Sequence, residues 1–371
     1  MREYLLQNKD EVVLRFGIER TAIAVNFHLL SSINEPLPIG FKTLFDWLDS
    51  RFILTHRLQI ESLFKQLGIE YIEDYIPITF CVSLTDSYWV QEVGQNKKWS
   101  EVSPYSNPLN KVVSEFSFNG KVNGKYIGLS PDFSTAGMYP KCWLRFNDRL
   151  HLCKAGTEGF GNSGLEPFSE VFAYQLGKYL GFEMLEYFTY RHKDKDCTLC
   201  KIMTSENIGL KSFAEVTGVV EADYNYFLNW VGNSLTSIDI RHSINMLLLD
   251  ILTCNTDRHF GNIGVLINNN TQRIIKLASI FDNNQSCIPY YTDRETVDFY
   301  TSDILAKDGK TFIEVYKLIA SSYTKALLIK ARYFKFQPIR NERADKRLPI
   351  INKMLQLQID RCLSVHTKGE L

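Results

Sequence analysis

The sequence predicts an α+β chain of two lobes with an additional N-terminal α/β domain, and three observations predict it. Residues 1–120 mix helix-like and strand-like apolar runs without a chemical motif. Residues 121–230 are dominated by short apolar runs broken by turn formers, with one strongly helical stretch among them. Residues 231–371 turn to helical patterning around a single hairpin. These boundaries place a mostly antiparallel small lobe between an N-terminal domain and a mostly helical large lobe.

In the first segment, Leu44, Leu48 and Phe52, then Leu58, Leu63 and Leu67, recur at helical spacing over Phe41–Leu67. Ile76–Leu84 reads as a strand, and Gly94–Asn110, rich in Gly, Pro, Asn and Ser, as a loop or boundary. Tyr126–Leu129 is a short strand, followed by the small-residue loop Ser130–Gly137. Cys142–Phe146 and Leu150–Lys154 are two strands joined by the turn Asn147-Asp148-Arg149. Gly156–Gly164 holds four glycines in nine residues and reads as a loop. Phe168, Phe172, Leu176 and Leu180 recur every four residues, which predicts a helix entered through Pro167 and stopped by Gly181. Leu185–Tyr190 and Thr198–Met203 are two more strands. Ile244–Leu252 is almost continuously apolar and predicts a buried helix. The strands Gly264–Ile267 and Ile274–Phe281 flank the Asn-rich turn Asn268–Gln272, and Phe312–Val365 is mostly helical.

Composition narrows the classes of function. Hydrophobic residues are 45% and aromatics 13% of the chain, which excludes a disordered protein. The 42 basic side chains balance 42 acidic ones, which excludes a nonspecific polyanion binder, and direct nucleic-acid binding is not expected. The balance conceals a split: Leu305–Leu371 carries 14 Lys/Arg against 6 Asp/Glu, so that end is +8 and the rest −8. Within it, Lys325–Arg347 interleaves eight cations with Tyr333, Phe334 and Phe336, either a solvated helix face beside a buried aromatic stripe or a binding surface. No secretory signal opens at Met1 and no apolar run reaches 18 residues, so a cytoplasmic protein without a membrane span is expected. The eight scattered cysteines then read as free thiols. Cys197-Thr-Leu-Cys200 lacks the second pair a zinc site needs, and reads as buried strand thiols. The histidines other than His259 have no ligand spacing.

One constellation carries chemistry. Asp257 and Asn262 form D-x-x-x-x-N on the loop after the buried helix, and Asp282 ends the second hairpin strand. That order suits kinase-type phosphoryl transfer: Asp257 accepts a hydroxyl proton, while Asn262 and Asp282 offer hard oxygen ligands to Mg²⁺. Upstream, the small-residue loop can bring backbone N–H groups to phosphates, the strand lysine Lys154 supplies a point charge, and Glu170 or Glu166 on the next helix can orient it.

These residues carry a family resemblance. Asn255-Thr-Asp-Arg-His-Phe-Gly-Asn262 resembles the catalytic loop of HipA-like serine/threonine kinases, and Ser134-Thr-Ala-Gly-Met-Tyr-Pro-Lys141 resembles their phosphate loop. Ser83-Leu-Thr-Asp-Ser-Tyr-Trp89 is similar, less distinctly, to the N-terminal region of HipA-like proteins from Gram-positive bacteria. The resemblance implies a two-lobed protein-kinase-like fold and an ATP- and Mg²⁺-dependent serine/threonine protein kinase. It implies Asp257 as the catalytic aspartate, Asn262 and Asp282 as magnesium ligands and Lys154 as the ATP-contacting lysine. His259 matches the loop histidine, with a structural role, and counts among the nucleotide-site residues. Lys201, Ile202 and Met203 fall at the adenine hinge, and Ala136, Gly137, Met138, Tyr139, Pro140 and Lys141 line the phosphates with Ser134 and Thr135. Ser134 matches a serine that family members autophosphorylate, which drives the loop out and switches the kinase off. It further implies a growth-arresting toxin, a protein substrate such as an aminoacyl-tRNA synthetase or another translation factor, and a small DNA-binding antitoxin. Two positions depart: Gly261 stands where the family often has a lysine, and Lys201 where a glutamate is familiar. The rival readings are a nucleotide-binding interaction module without turnover and a small-molecule or lipid kinase.

Overall fold

The structure, a computed structural model, describes residues 1–21, 24–34, 36–51, 64–65, 68–110, 118, 129, 131, 140–157, 164–291 and 294–367. Its strands are β1 (Arg2–Asn8), β2 (Glu11–Arg20), β3 (Val25–Leu29), β4 (Tyr88–Glu92), β5 (Lys141–Phe146), β6 (Arg149–Ala155), β7 (Tyr187–His192), β8 (Lys195–Lys201), β9 (Ile208–Ser212), β10 (Gly264–Asn268) and β11 (Ile274–Leu277). The chain divides into two compact units. The first is Met1–Cys153 with Ile202–Lys211 and Leu266–Ile275; the second is Lys154–Lys201 with Ser212–Val265 and Lys276–Leu371.

In the first unit an antiparallel sheet of order β3-β2-β1-β4 turns Tyr4, Leu6, Phe16 and Ile18 into a core. The same core receives Trp47 and Leu48 from the helix Leu44–Arg51, and Tyr75 and Ile76 from the helix Ile72–Thr79. The second of these helices corrects the sequence reading, which made Ile76–Leu84 a strand. Asp74 accepts the main-chain N–H groups of Glu70 and Tyr71 at the helix entrance, and Tyr75, Ile76 and Thr79 recur on one buried face. Phe80 and Cys81 then take positive φ, which ends the helix and leaves the strand to β4. Of the helix expected over Phe41–Leu67, the described part is Leu44–Arg51, and residues 52–63 and 66–67 lie outside the described residues.

A buried charge cluster ties this unit together. The Asp86 carboxylate receives Arg51 Nη2 at 2.5 Å and Lys211 Nζ at 3.5 Å, with all three side chains almost wholly out of solvent. Burial pushes Asp86 up, but the two cations outweigh it and hold the carboxyl below its ordinary range.

The two hairpins around residue 150 and residue 194 follow from their turns. Asn147-Asp148 between β5 and β6, and Lys193-Asp194 between β7 and β8, all adopt positive φ, the geometry that two-residue hairpin turns favour. In the second unit the helix Glu166–Leu180 has Pro167 in its first turn and Gly181 at φ 88 as its stop. The helix Ser237–Thr253 is capped by Thr236 and Asp239 and buries Met246–Thr253 without interruption. It ends at Cys254 with φ 51, so the chain leaves directly into the Asn255–Asn262 loop. The C-terminal helices Phe312–Ile319, Ser322–Ala331 and Leu348–Val365 complete the unit, with Phe336 packed edge-on against both Phe172 and Phe334. In the basic stretch, Phe334 and Phe336 are therefore core, while Tyr333 is exposed. All eight cysteines are free and buried, Cys197 and Cys200 both on β8. Among the described residues no helix is long and apolar enough to cross a membrane.

Asp86→Ala leaves Arg51 and Lys211 buried without their counter-charge. A loss of about 3–5 kcal/mol in denaturant unfolding is expected, and a loss below 1 kcal/mol would overturn the role assigned to the cluster. The folded-state pKa of Asp86 is lowered, so its contribution is complete above the unfolded carboxylate pKa and vanishes as pH falls through the lower folded value. Stability measured against pH will therefore fall less steeply on acidification in the variant than in the wild type.

Candidate active site

The second unit contains Lys154, Glu170, Asp257, Asn262 and Asp282, and a buried arginine holds the last three in register. Asp250 lies near the end of the helix Ser237–Thr253, one turn before the loop begins. Asn255 reaches back to it, its amide donating to Asp250 Oδ1 at 2.8 Å and its main-chain N–H to Asp250 O at 2.9 Å. Arg258, fully buried, then places every guanidinium donor on oxygen. Nε and Nη2 donate to the two Asp250 oxygens at 2.9 and 3.0 Å, Nη2 donates to Asn283 Oδ1 at 2.7 Å, and Nη1 donates to Asn262 O at 2.8 Å and Phe281 O at 2.6 Å. One nitrogen thus touches the main chain on both sides of the hairpin, beside Asn262 and beside Asp282. Burial lowers the guanidinium pKa, but Asp250 more than compensates, so the group is a permanent cation.

The loop itself closes on Asp257. His259 N–H and the Asn262 side-chain amide both donate to Asp257 O at 2.9 Å. The His259 ring accepts Gly261 N–H at 3.0 Å and caps the short 3₁₀ turn Phe260–Asn262. His259 is therefore placed as a loop clasp. A Cβ on residue 261 would meet that ring at 2.7 Å, so a larger residue there would require the ring to shift. Phe260 anchors the turn from below, edge-on to Phe213. The Asp257 carboxylate faces outward, about one-third exposed, with Lys307 Nζ 3.0 Å from Oδ1.

Lys154, next to last in β6, lies between two carboxylates, 3.2 Å from Glu170 Oε1 and 3.0 Å from Asp282 Oδ1. Of the two glutamates the sequence offered, Glu170 holds the lysine. Glu166 instead bonds Thr157 and accepts from Tyr290 at 2.7 Å. Glu170 is fully buried, and its other oxygen accepts Asn283 N–H at 2.8 Å. Burial drives the Glu170 carboxyl above its ordinary range despite Lys154. For Lys154, burial opposes the charge, and the carboxylates of Asp282 and Glu170 overcome it and raise the pKa. Asp282 takes φ 56, a conformation aspartate tolerates better than most residues, and its N–H donates to the buried Tyr187 hydroxyl at 3.2 Å. Cys200 lies near the same lysine, and burial pushes its thiol up to about 12, so it is a neutral wall.

The donor set suits a particular kind of cation. Among the described residues no group of three His, Cys, Asp or Glu could cage a metal. Asn262 engages its amide nitrogen, which leaves the amide oxygen as its acceptor end, and Asp282 adds a carboxylate. One amide and one carboxylate fit Mg²⁺, which takes few protein oxygens and keeps positions for water and phosphate. The remaining predicted residues are placed locally. Lys201 is the exposed last residue of β8, Ile202 and Met203 follow it half-buried, Pro140 is half-buried, and Lys141 opens β5 in a buried position. Ser134, Thr135, Ala136, Gly137, Met138 and Tyr139 lie outside the described residues. Sequence reasoning missed Arg258, Asp250, Asn283 and Lys307.

Comparison with known proteins identifies the family. Residues 133–331 match the family model described as the HipA-like C-terminal domain. HipA of Shewanella oneidensis MR-1, solved with HipB and operator DNA, aligns with a TM-score of 0.52 at 11% identity, covering 97% of both chains. The Helicobacter pylori proinflammatory kinase CtkA aligns with a TM-score of 0.48 at 16% identity, covering 64% of this chain and 94% of its own. A search of curated protein sequences gives no match.

Arg258→Met removes five bonds and strands Asp250. It is expected to cost about 3–5 kcal/mol in urea unfolding. Arg258→Lys should recover only part of that, because an ammonium cannot span the same oxygens. Equal stability of the lysine variant and the wild type would refute the bracing role.

Proposed function

The chain belongs to the family of HipA-like C-terminal domains, and from that premise we propose that it is an ATP- and Mg²⁺-dependent serine/threonine protein kinase. The observation that carries the proposal is the coupling of two ion-paired groups. Lys154 stands between Glu170 and Asp282, and Arg258 locks the Asp282 segment to the Asp257–Asn262 loop. A lysine oriented by a helix glutamate, an aspartate on a loop, and an amide and a carboxylate for metal are the parts that kinase phosphoryl transfer uses.

In this reading Asp257 accepts the proton of the attacking hydroxyl. Lys154 binds nucleotide phosphate, and its two carboxylates keep it extended and charged. Asn262 and Asp282 hold Mg²⁺, which neutralises phosphate charge when bound. Main-chain and side-chain groups of Ser134–Lys141 take the phosphates, Lys201–Met203 the adenine, and Ser134 is the autophosphorylation site that turns the enzyme off. The protein acts in the cytoplasm as a growth-arresting toxin on a protein of the translation apparatus. The assembly of the Shewanella relative with HipB and its operator supports a small DNA-binding antitoxin as partner.

Purified protein with Mg²⁺-ATP tests the reading. Asp282→Asn should lose Mg²⁺-dependent ATP binding in calorimetry. Asp257→Ala should bind ATP normally and lose about 10²- to 10⁴-fold in transfer rate. Label should appear in a protein fraction and, on long incubation, on Ser134. Normal turnover in both variants would overturn the assignment. Label confined to lipid or small molecules would overturn the protein substrate.

A further inference from the structure

We propose that Lys307 is a catalytic residue of this site, donating to the phosphoryl group as it moves onto the acceptor hydroxyl. The proposal rests on the phosphotransferase reading and adds the cation that reading lacks on the acceptor side.

The charges of the site are unevenly committed. All five Arg258 donors are used by internal oxygens. Lys154 is shared between Glu170 and Asp282. Lys307 is different: its side chain is 44% exposed and its ammonium pairs with the outward-facing carboxylate of Asp257. An exposed pair of this kind contributes little to stability, so stability does not account for its placement.

Its placement is nevertheless built. Lys307 lies on a tight turn closed by Ala306 N–H to Lys310 O at 2.8 Å and by Gly309 N–H to Ala306 O at 3.0 Å. Lys310 braces the turn through both Asp308 oxygens. The buried Tyr224 hydroxyl, on the helix Tyr224–Ser234, donates to Arg258 O at 3.1 Å and so holds the main chain next to Asp257. Residue 261 is glycine and provides no charge.

The geometry fixes what the ammonium can reach. A hydroxyl poised for transfer sits about 2.6–3.2 Å from the carboxylate that accepts its proton. Its oxygen sits about 3–3.5 Å from the phosphorus it attacks. A cation 3.0 Å from the same carboxylate is within reach of the oxygens of that phosphoryl group. In the step, the hydroxyl oxygen forms the new bond to the γ-phosphorus, and the bond to the bridging oxygen breaks. ADP leaves with that electron pair, and the hydroxyl proton passes to Asp257. Lys307 keeps its protons and donates hydrogen bonds to the equatorial oxygens, where negative charge gathers.

Calorimetry with Mg²⁺-ADP, with and without aluminium fluoride as a mimic of the transferring phosphoryl group, tests this without knowledge of the substrate. Wild-type protein should bind the fluoroaluminate complex more tightly than Mg²⁺-ADP. In Lys307→Ala that gain should shrink at least tenfold, with Mg²⁺-ADP affinity within twofold of wild type and an unchanged unfolding midpoint. Lys307→Arg should keep most of the gain, and Lys307→Gln, which retains the stem, should behave as alanine does and serves if the alanine variant folds poorly. A full gain in Lys307→Ala, or an equal loss of Mg²⁺-ADP binding, would overturn the role of Lys307. No gain in the wild type would overturn the phosphotransferase reading, and the role of Lys307 with it.

Discussion

Five N–H donors leave the Arg258 guanidinium, and all five end on oxygen inside the second unit. No other side chain could do this work at that point. The fork spans a helix carboxylate, the loop main chain at Asn262, and the segment Phe281–Asn283, and its planar shape sets the angles between them. A buried ion pair is a poor source of net stability compared with apolar packing of the same volume. What it supplies here is register. Asp257, Asn262 and Asp282 come from stretches twenty or more residues apart at their extremes, and the arginine fixes the distance between those stretches to within a hydrogen bond.

The Lys154 cluster then inherits its geometry from that brace. Asp282 is presented by a segment that Arg258 holds through Phe281 O and Asn283 Oδ1, and Glu170 is held through Asn283 N–H. Two carboxylates so close in a buried setting would repel without a cation between them. The lysine resolves this, and the same pair of charges keeps the lysine protonated against burial. Asn283 is the hinge pin of the arrangement: its main chain serves the glutamate and its side chain the arginine.

Much of the scaffold was legible in the sequence because local rules governed it. Asn147-Asp148 marked a hairpin, Pro167 and Gly181 bracketed a helix, and the apolar stretch Ile244–Leu252 required burial; each reappears in the structure within a few residues. The misreading at Ile76–Leu84 has the same origin in reverse. An apolar run fits helix and strand equally, and the deciding contact, Asp74 on the preceding N–H groups, lies just outside the run. The candidate residues Asp257, Asn262, Lys154, Glu170 and Asp282 could be named from residue type and order. Their braces could not. Arg258 was visible as a letter in the loop, but a charged residue between two polar neighbours reads as surface. Only its pairing with Asp250 eight positions earlier, in the last turn of a buried helix, would have marked it as interior. Lys307 is fifty residues from Asp257, and neither periodicity nor spacing connects them.

Burial divides the charges of the site into those that cannot change partner and those that can. Arg258 with Asp250, and Glu170 with Lys154, are enclosed, and their desolvation makes any rearrangement costly. Asp257 and Lys307 meet at the surface, where water can replace either partner at little cost. The proposed phosphoryl transfer would use both kinds. The enclosed pairs would hold the frame still while charge moves, so that no reorganisation is required at the moment of reaction. The open pair would accept a hydroxyl on one side and phosphate oxygens on the other, then release both. The brace and the exposed pair share one residue boundary, Asp257 beside Arg258. Successive residues of the chain therefore point one side chain into the interior and the other into solvent, and the loop is both anchored and open.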